Sequence, residues 1–362
     1  MSFSVLSWPV GRFLHIRHYS MHLSEVVKRL NSLAPPFLAE SWDNVGLLVE
    51  PYTKKNIETM LLSNDLTEEV MDEAEAQGAN LIFSYHPPVF RPLKRITSNG
   101  WKDRIIARCL EKGIAIYSPH TACDAVLGGV NDWLIQAFDG EEVTPLQISV
   151  KPSDCSHQVT ITVSSESEAT MLMERLTPLL VQSSVLFRSE KRVELVCPET
   201  TLPTIVRLAS GNGNSTSIQL SITKIEKVPM PGHGLGRKCK LAHPMTISEA
   251  INRIKSHLGL SYVRLALACG ATLESSVGSV AVCAGSGTSV LCGAIADLWL
   301  TGEMSHHDIL DATQQGTTVV LAEHSNSERG FLKVLQPRLY SLFGHEINVI
   351  ISEKDKTPLS VV

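Results

Sequence analysis

Two stretches of the chain set a histidine and a carboxylic acid four residues apart, each directly after an apolar run that reads as a β-strand. In IAIYSPHTACD these are His120 and Asp124, and in TTVVLAEHSNSE they are His324 and Glu328. One strand earlier in each half stands a further polar group, His86 in LIFSYHPP and Glu303 in LWLTGEMSHH. Imidazole nitrogens and carboxylate oxygens together form a mixed N/O set that suits zinc, manganese or iron. A carboxylate can bridge two ions about 3.5–4 Å apart, and such a pair can generate hydroxide and clamp a leaving oxygen. Each residue taken singly has an ordinary reading. His86 could serve a turn, Asp124 could satisfy amides of the helix that follows, and Glu328 could favour a helix N-terminus. What points to a metal is the recurrence of the pattern at four strand ends.

The elements that must position these groups follow from periodicity and punctuation. From about residue 22 the chain alternates amphipathic helices with apolar strands: LSEVVKRLNSLAP, ETMLLSND, LTEEVMDEAEAQG, NLIFSYH, WKDRIIARCLEKG and IAIYSPH. The same rhythm returns after residue 245, through TISEAINRIKSHLG, SVAVCAG, DLWLTGE, MSHHDILDATQQG, TTVVLAEH and SERGFLKVLQPRLYSLF, with EINVIIS read as the strand that closes the second lobe. Such alternation predicts α/β lobes with mixed sheets covered by helices. Ligands of such sheets bind outside the carboxyl ends of the strands, where these histidines and acids lie. Between the lobes the order β-α-β-β-α-β, flanked by KPSDCS and PMPGHGLGRK, predicts an inserted ferredoxin-like α+β domain. The expected organisation is a tail or targeting segment over 1–21, a first lobe over 22–150, the insert over 151–240 and a second lobe over 241–362.

Several function classes are excluded or disfavoured. A net charge of −5 without a Lys/Arg cluster argues against direct nucleic-acid binding by phosphate neutralisation. The eight cysteines are scattered with no C-x-x-C, which points to reduced thiols inside a cell rather than to a disulfide framework. Residues 275–296 carry no charge, but AGSGTS interrupts the apolar run, so the stretch reads as strand, turn and helix and not as a membrane span. GSGTS itself reads as a glycine turn, with an anion cradle as the alternative. Trp42 and Asp43 in ESWDNVGLLVE read as packing with an Asx turn. There is no G-x-x-x-x-G-K-[ST] and no G-x-S-x-G. The first twenty residues hold Arg12 and Arg17 and no acid, so a mitochondrial targeting segment stands as the alternative to a cytoplasmic location.

The stretches ESWDNVGLLVE, SYHPPVF, SPHTACD, LTGEMSHHDIL and LAEHSNSERGF, in that order, resemble the NIF-three-like family, whose bacterial members are often labelled GTP cyclohydrolase I type 2 homologues. The resemblance runs from about residue 22 to the C-terminus. It implies a two-lobed α/β fold with an inserted domain, and a homo-oligomer, from dimer to toroidal hexamer, with one or two divalent transition-metal ions (Zn, Mn or Fe) per site. Carried over residue by residue, it makes His86, Asp124, His324 and Glu328 metal ligands. It places His120, Glu303 and His307 near the site as acid/base candidates. Tyr85 stands where the family has the first histidine of a pair. A phenol with an unperturbed pKa near ~10 is a poor ligand for a divalent ion, so one of two ions is expected to be weakly held or missing.

Two functions of different class follow. One is a metal-dependent hydrolase acting on a small nucleotide-like or phosphorylated substrate. The other is a non-catalytic regulatory scaffold, a corepressor partner of transcriptional regulator proteins in cytoplasm and nucleus, as the resemblance implies for vertebrate members. Metal handling, such as buffering iron, is a third expectation.

Overall fold

In the computed structural model, residues 20–53, 56–179, 184–210 and 218–360 are described. The chain forms two compact units, one built from the segments up to Gln147 and from Gly232 onward, the other from Ile148–Pro231. The expected targeting segment lies outside the described residues apart from its last positions.

The larger unit holds two mixed sheets. The first has the order Asn348–Ile351, Thr59–Ser63, Leu81–Ser84, Ala115–Ser118 and Gly46–Val49; the first four run parallel and the last is antiparallel. Strand alternation gives each of these strands two faces. Leu61, Ile82 and Ile116 point toward the helices Glu68–Ala76 and Trp101–Lys112, sharing one apolar cluster with Val70, Met71, Ile105 and Ile106. Their neighbours Met60, Leu62, Phe83 and Tyr117 enter a second cluster on the opposite side.

The second sheet has the order Arg264–Ala266, Thr318–Leu321, Leu298–Glu303, Ser276–Ser286, Arg237–Thr246 and Gly140–Thr144, parallel across its three central strands and antiparallel outside them. Val280, Val282, Leu298, Leu300 and Val320 enter the same cluster as Met60 and Phe83, together with the helices Leu23–Leu33, Ile247–Leu258 and Leu332–Leu342. The two sheets therefore share one core, which fixes their parallel strands relative to one another. Burying apolar area on that scale stabilises at about 25 cal/mol per Å².

The lobes exchange strands, which differs from the reading of EINVIIS as the end of the second lobe. Asn348–Ile351 pairs in parallel with Thr59–Ser63 of the first sheet. Gly140–Thr144 pairs with Arg237–Thr246 of the second. An apolar strand does not encode its partner. Thr59–Ser63 has an otherwise open edge, and Asn348 N–H donates to the Glu58 carbonyl while Ser352 N–H donates to Leu62, closing the ladder at both ends.

The smaller unit carries a four-stranded antiparallel sheet, ordered Ser184–Arg188, Arg192–Cys197, His157–Thr162, Gln219–Lys224, with helices Glu166–Leu176 and Leu202–Ser210. In HQVTIT, Val159 and Ile161 are buried against Leu172, Leu176 and Ile205 while the residues between them are only partly covered. This is the β-α-β-β-α-β plan of a ferredoxin-like fold. The uncharged stretch at 275–296 forms the strand Ser276–Ser286 and the four-residue helix Thr288–Leu291. Among the described residues no helix is long and apolar enough to cross a membrane.

Candidate metal centre

Each functional side chain stands where a central strand stops. His86 follows Leu81–Ser84, and Pro87 and Pro88 forbid the strand to continue. The backbone still pairs for two more residues, Tyr85 N–H donating to the Ser63 carbonyl at 2.8 Å and His86 N–H to Asn64 at 2.9 Å. His324 follows Thr318–Leu321 at the start of a 3₁₀ turn, and Glu328 caps it.

These elements bring His86, His324 and Glu328 together. The two Nε2 atoms are 3.3 Å apart. Glu328 places Oε2 3.3 Å from His86 Nε2 and Oε1 3.4 Å from His324 Nε2. One ligand atom from each of the three lies within 4.8 Å of the others, a group that could hold a metal ion.

The surroundings fit that use. His86 Nδ1–H donates to Asp65 at 2.9 Å, and His324 Nδ1–H donates to Glu303 at 2.9 Å. An ionised carboxylate has no proton to give, so each Nδ1 carries a hydrogen and each Nε2 faces the shared space. Carboxylates behind ligating histidines fix ring orientation in this way. Asn64 Nδ2 donates to Glu328 Oε2 at 3.0 Å. Gly285, at φ +64°, leaves the space the group needs: a Cβ there would sit 2.6 Å from Glu328 Oε1 and 3.2 Å from His324 Nε2.

Electrostatics bind the group tightly. Burial pushes the His86 pKa down, but the charges of Glu328 and Asp65 and their hydrogen bonds outweigh it and hold it up at about 10. Burial likewise raises Glu328, and His86 and His324 reverse the effect, so its carboxyl lies below the usual range. Asp65 is also held low, its burial outweighed by His86 and Arg329.

A second set of groups lies alongside. Tyr85, 2% exposed, donates its hydroxyl hydrogen to Asp124 Oδ1. Burial raises the Asp124 pKa to about 6, against the opposing pull of Tyr85 and His120. His120 opens the helix His120–Ala125 at φ +29°, and its Nδ1–H donates to Asp43 at 2.7 Å. The His120 ring centroid is 5.3 Å from that of His86 and 5.9 Å from that of Tyr85. Asp124 is thus tied to Tyr85, and the three groups whose ligand atoms lie within 4.8 Å of one another are His86, His324 and Glu328. Glu303 stands behind His324. His307 lies exposed on the helix His306–Gln314, its ring 5.5 Å from that of His306.

Sequence reasoning missed three residues of the site. Asn64 and Asp65 end ETMLLSND, so the strand-end rule that selected His86 would have selected them too. Asp43 accepts from the next residue, Asn44 N–H, at 2.7 Å, not from the amide two residues on that an Asx turn uses, and the same carboxylate holds His120 and the Thr121 amide. GSGTS is a turn: Gly285 N–H donates to Ser327 Oγ at 2.8 Å and Gly287 N–H to Thr301 Oγ1 at 3.0 Å.

A cleft of about 430 Å³ opens beside the group, with His86 and His324 in its wall together with Asp65, Trp101, Lys102 and Lys356.

Fold and site together define a mixed α/β protein with a histidine–histidine–glutamate cradle at the carboxyl ends of its strands. The model of the Duf34/NIF3 (NGG1p interacting factor 3) family matches residues 21–358, and the chain belongs to that family. It is 45% identical over 351 residues to NIF3-like protein 1 of Homo sapiens, covering 94% of this chain and 93% of that one. It is 29% identical over 353 residues to NGG1-interacting factor 3 of Saccharomyces cerevisiae, covering 94% of this chain and 96% of that one. The crystal structure of a Bacillus cereus protein related to NIF3 has the same fold, with a TM-score of 0.67 at 24% identity over 94% of this chain and 99% of that one.

Proposed function

We propose that the chain is a metal-dependent hydrolase of a small nucleotide-like or phosphorylated substrate. One observation carries this reading: both Nδ1 atoms are tied to carboxylates, so two Nε2 atoms 3.3 Å apart converge on Glu328. Two protonated imidazoles would repel at that distance, whereas a cation shared with Glu328 satisfies all three groups. His86, His324 and Glu328 would hold a divalent transition metal, which supplies Lewis-acid activation of water or of a phosphoryl oxygen. Asp65 and Glu303 orient the two histidines. Asp43 keeps the hydrogen of His120 on Nδ1, leaving Nε2 to accept a proton from a water or hydroxyl in the site. Tyr85 occupies Asp124, which supports one ion per chain rather than two. The cysteines are all free thiols, which supports a reducing compartment, the cytoplasm in this reading.

Elemental analysis of gently purified protein tests the proposal. About one equivalent of Zn, Mn or Fe per chain is expected, together with hydrolysis of at least one member of a phosphate-ester panel. Protein that stays metal-free through gentle purification and takes up none on titration overturns it.

A second reading is a regulatory role with protein partners, supported by the family description as an NGG1p interacting factor. It predicts that a Glu328→Gln variant, which disables hydrolysis, still binds its partner; partner binding that requires Glu328 argues against it.

A further inference from the structure

We infer that the cleft beside the His86–His324–Glu328 group is a subsite for a phosphorylated small molecule carrying a planar ring, with Lys102 and Lys356 taking the phosphate and Trp101 the ring. The inference deepens the hydrolase reading and rests on it only in making His86 and His324 the reactive wall of the cleft.

The cleft's volume, about 430 Å³, falls in the range of about 300–1,000 Å³ usual for small-molecule sites. Its chemistry is mixed. His86 and His324 line it, and so do Lys102, Lys356 and Trp101. Lys102 Nζ lies over the Trp101 ring, 5.3 Å from its centroid, so the cation and the indole reach the cleft as one unit. Trp101 is 44% exposed, a large apolar surface left open where the cleft can cover it with a ligand. A planar base stacks on an exposed aromatic face whatever its sequence identity, because every base has a π-face.

The acids nearby do not cancel these cations. Asp65 is committed to His86 at 2.9 Å and faces Arg329 at 3.8 Å. Lys356 meets Glu69 at 3.1 Å, but both side chains are more than 60% exposed. A pair that open is weak, because water screens it, and gives way to a phosphate. The segment that runs from Pro87 and Pro88 in the wall to Trp101 and Lys102 at the start of the next helix is basic. From Pro87 to Lys102 it holds Arg91, Lys94, Arg95 and Lys102 and no acid, in a chain whose net charge is −5. A phosphate held by Lys102 and Lys356 shares the cleft with His86, His324 and the Trp101 indole.

Calorimetric titration of the full chain, metal-loaded and metal-stripped, with AMP, ribose 5-phosphate and adenosine tests this. AMP is expected to bind best. Lys102→Ala/Lys356→Ala should weaken AMP and ribose 5-phosphate at least tenfold and leave adenosine unchanged. Trp101→Ala should weaken AMP and adenosine several-fold and leave ribose 5-phosphate unchanged. Both variants should keep the metal content of the parent, since neither touches its ligands. AMP affinity within twofold of the parent in both variants, or no binding of any probe, overturns the inference. Metal absent from the parent sinks the hydrolase reading instead, and lysine-dependent AMP binding by stripped protein would still uphold the subsite.

Discussion

His86 and His324 are 238 residues apart in the chain, yet their Nε2 atoms approach to 3.3 Å. Neither belongs to the other's sheet. They meet because one shared core holds two parallel-strand sets with their carboxyl ends facing a common space, and because Asp65 and Glu303 turn each ring the same way.

Gly285 is required where a methyl group would not fit. Gly285→Ala should lower bound metal at least tenfold, since its Cβ would lie 2.6 Å from the buried Glu328 carboxylate. Gly316→Ala is the control: its φ of +91° imposes comparable backbone strain, but the space around it is open. Both should lose about 1–2 kcal/mol of stability from that strain, and only the first should lose metal. Equal metal loss in the two, read by elemental analysis, would contradict the assignment.

The carboxylates behind the histidines should matter without touching the ion. Asp65→Asn and Glu303→Gln are each expected to weaken metal affinity by about 10–100-fold in chelator competition, with the protein still folded. An unchanged affinity in both would mean the rings are held by packing alone.

Metal uptake should release a proton. His86 is held up at about 10 in the metal-free protein, so at pH 7–8 its second nitrogen carries a hydrogen that an ion must displace. Titration in buffers of different ionisation enthalpy should show about one proton released per ion, with apparent affinity rising about tenfold per pH unit between pH 6 and 8. An affinity flat across that range would rule out displacement at His86.

Asp124 should make the metal-stripped fold less stable as pH rises. Its folded pKa is raised to about 6 from an ordinary 3.8, so between those values the folded state binds more protons than the unfolded one and stability falls as pH increases. Asp124→Asn removes that dependence. Its advantage in thermal stability over the parent should grow from near zero at pH 4 to the equivalent of about 2–3 kcal/mol above pH 7, at about 1.4 kcal/mol per pKa unit. A constant difference across the range would show that the carboxyl is not so perturbed.

Much of the fold was legible because it rests on local periodicity. LIFS, AIYS and TVVL are apolar runs of strand length, and the helices between them have caps that can be read directly, such as Thr246 and Glu249 in a reciprocal capping box. The identity of the next strand over was not legible. Asn348–Ile351 looks like a strand wherever it is placed, and only the open edge beside Thr59–Ser63 decided its partner.

The site divides in the same way. Residue type and position relative to a strand end marked His86, His120, Asp124, His324 and Glu328 as candidates, because both signals are local. Which of them share one space was settled in three dimensions. His86, His324 and Glu328 converge, Asp124 is taken by Tyr85, and Asp43, Asn64 and Asp65 enter as supports. The chain alone could specify chemistry at each strand end, since backbone punctuation and side-chain identity are read residue by residue. Distances between strand ends depend on how two sheets bury one core, and that is a property of the folded whole.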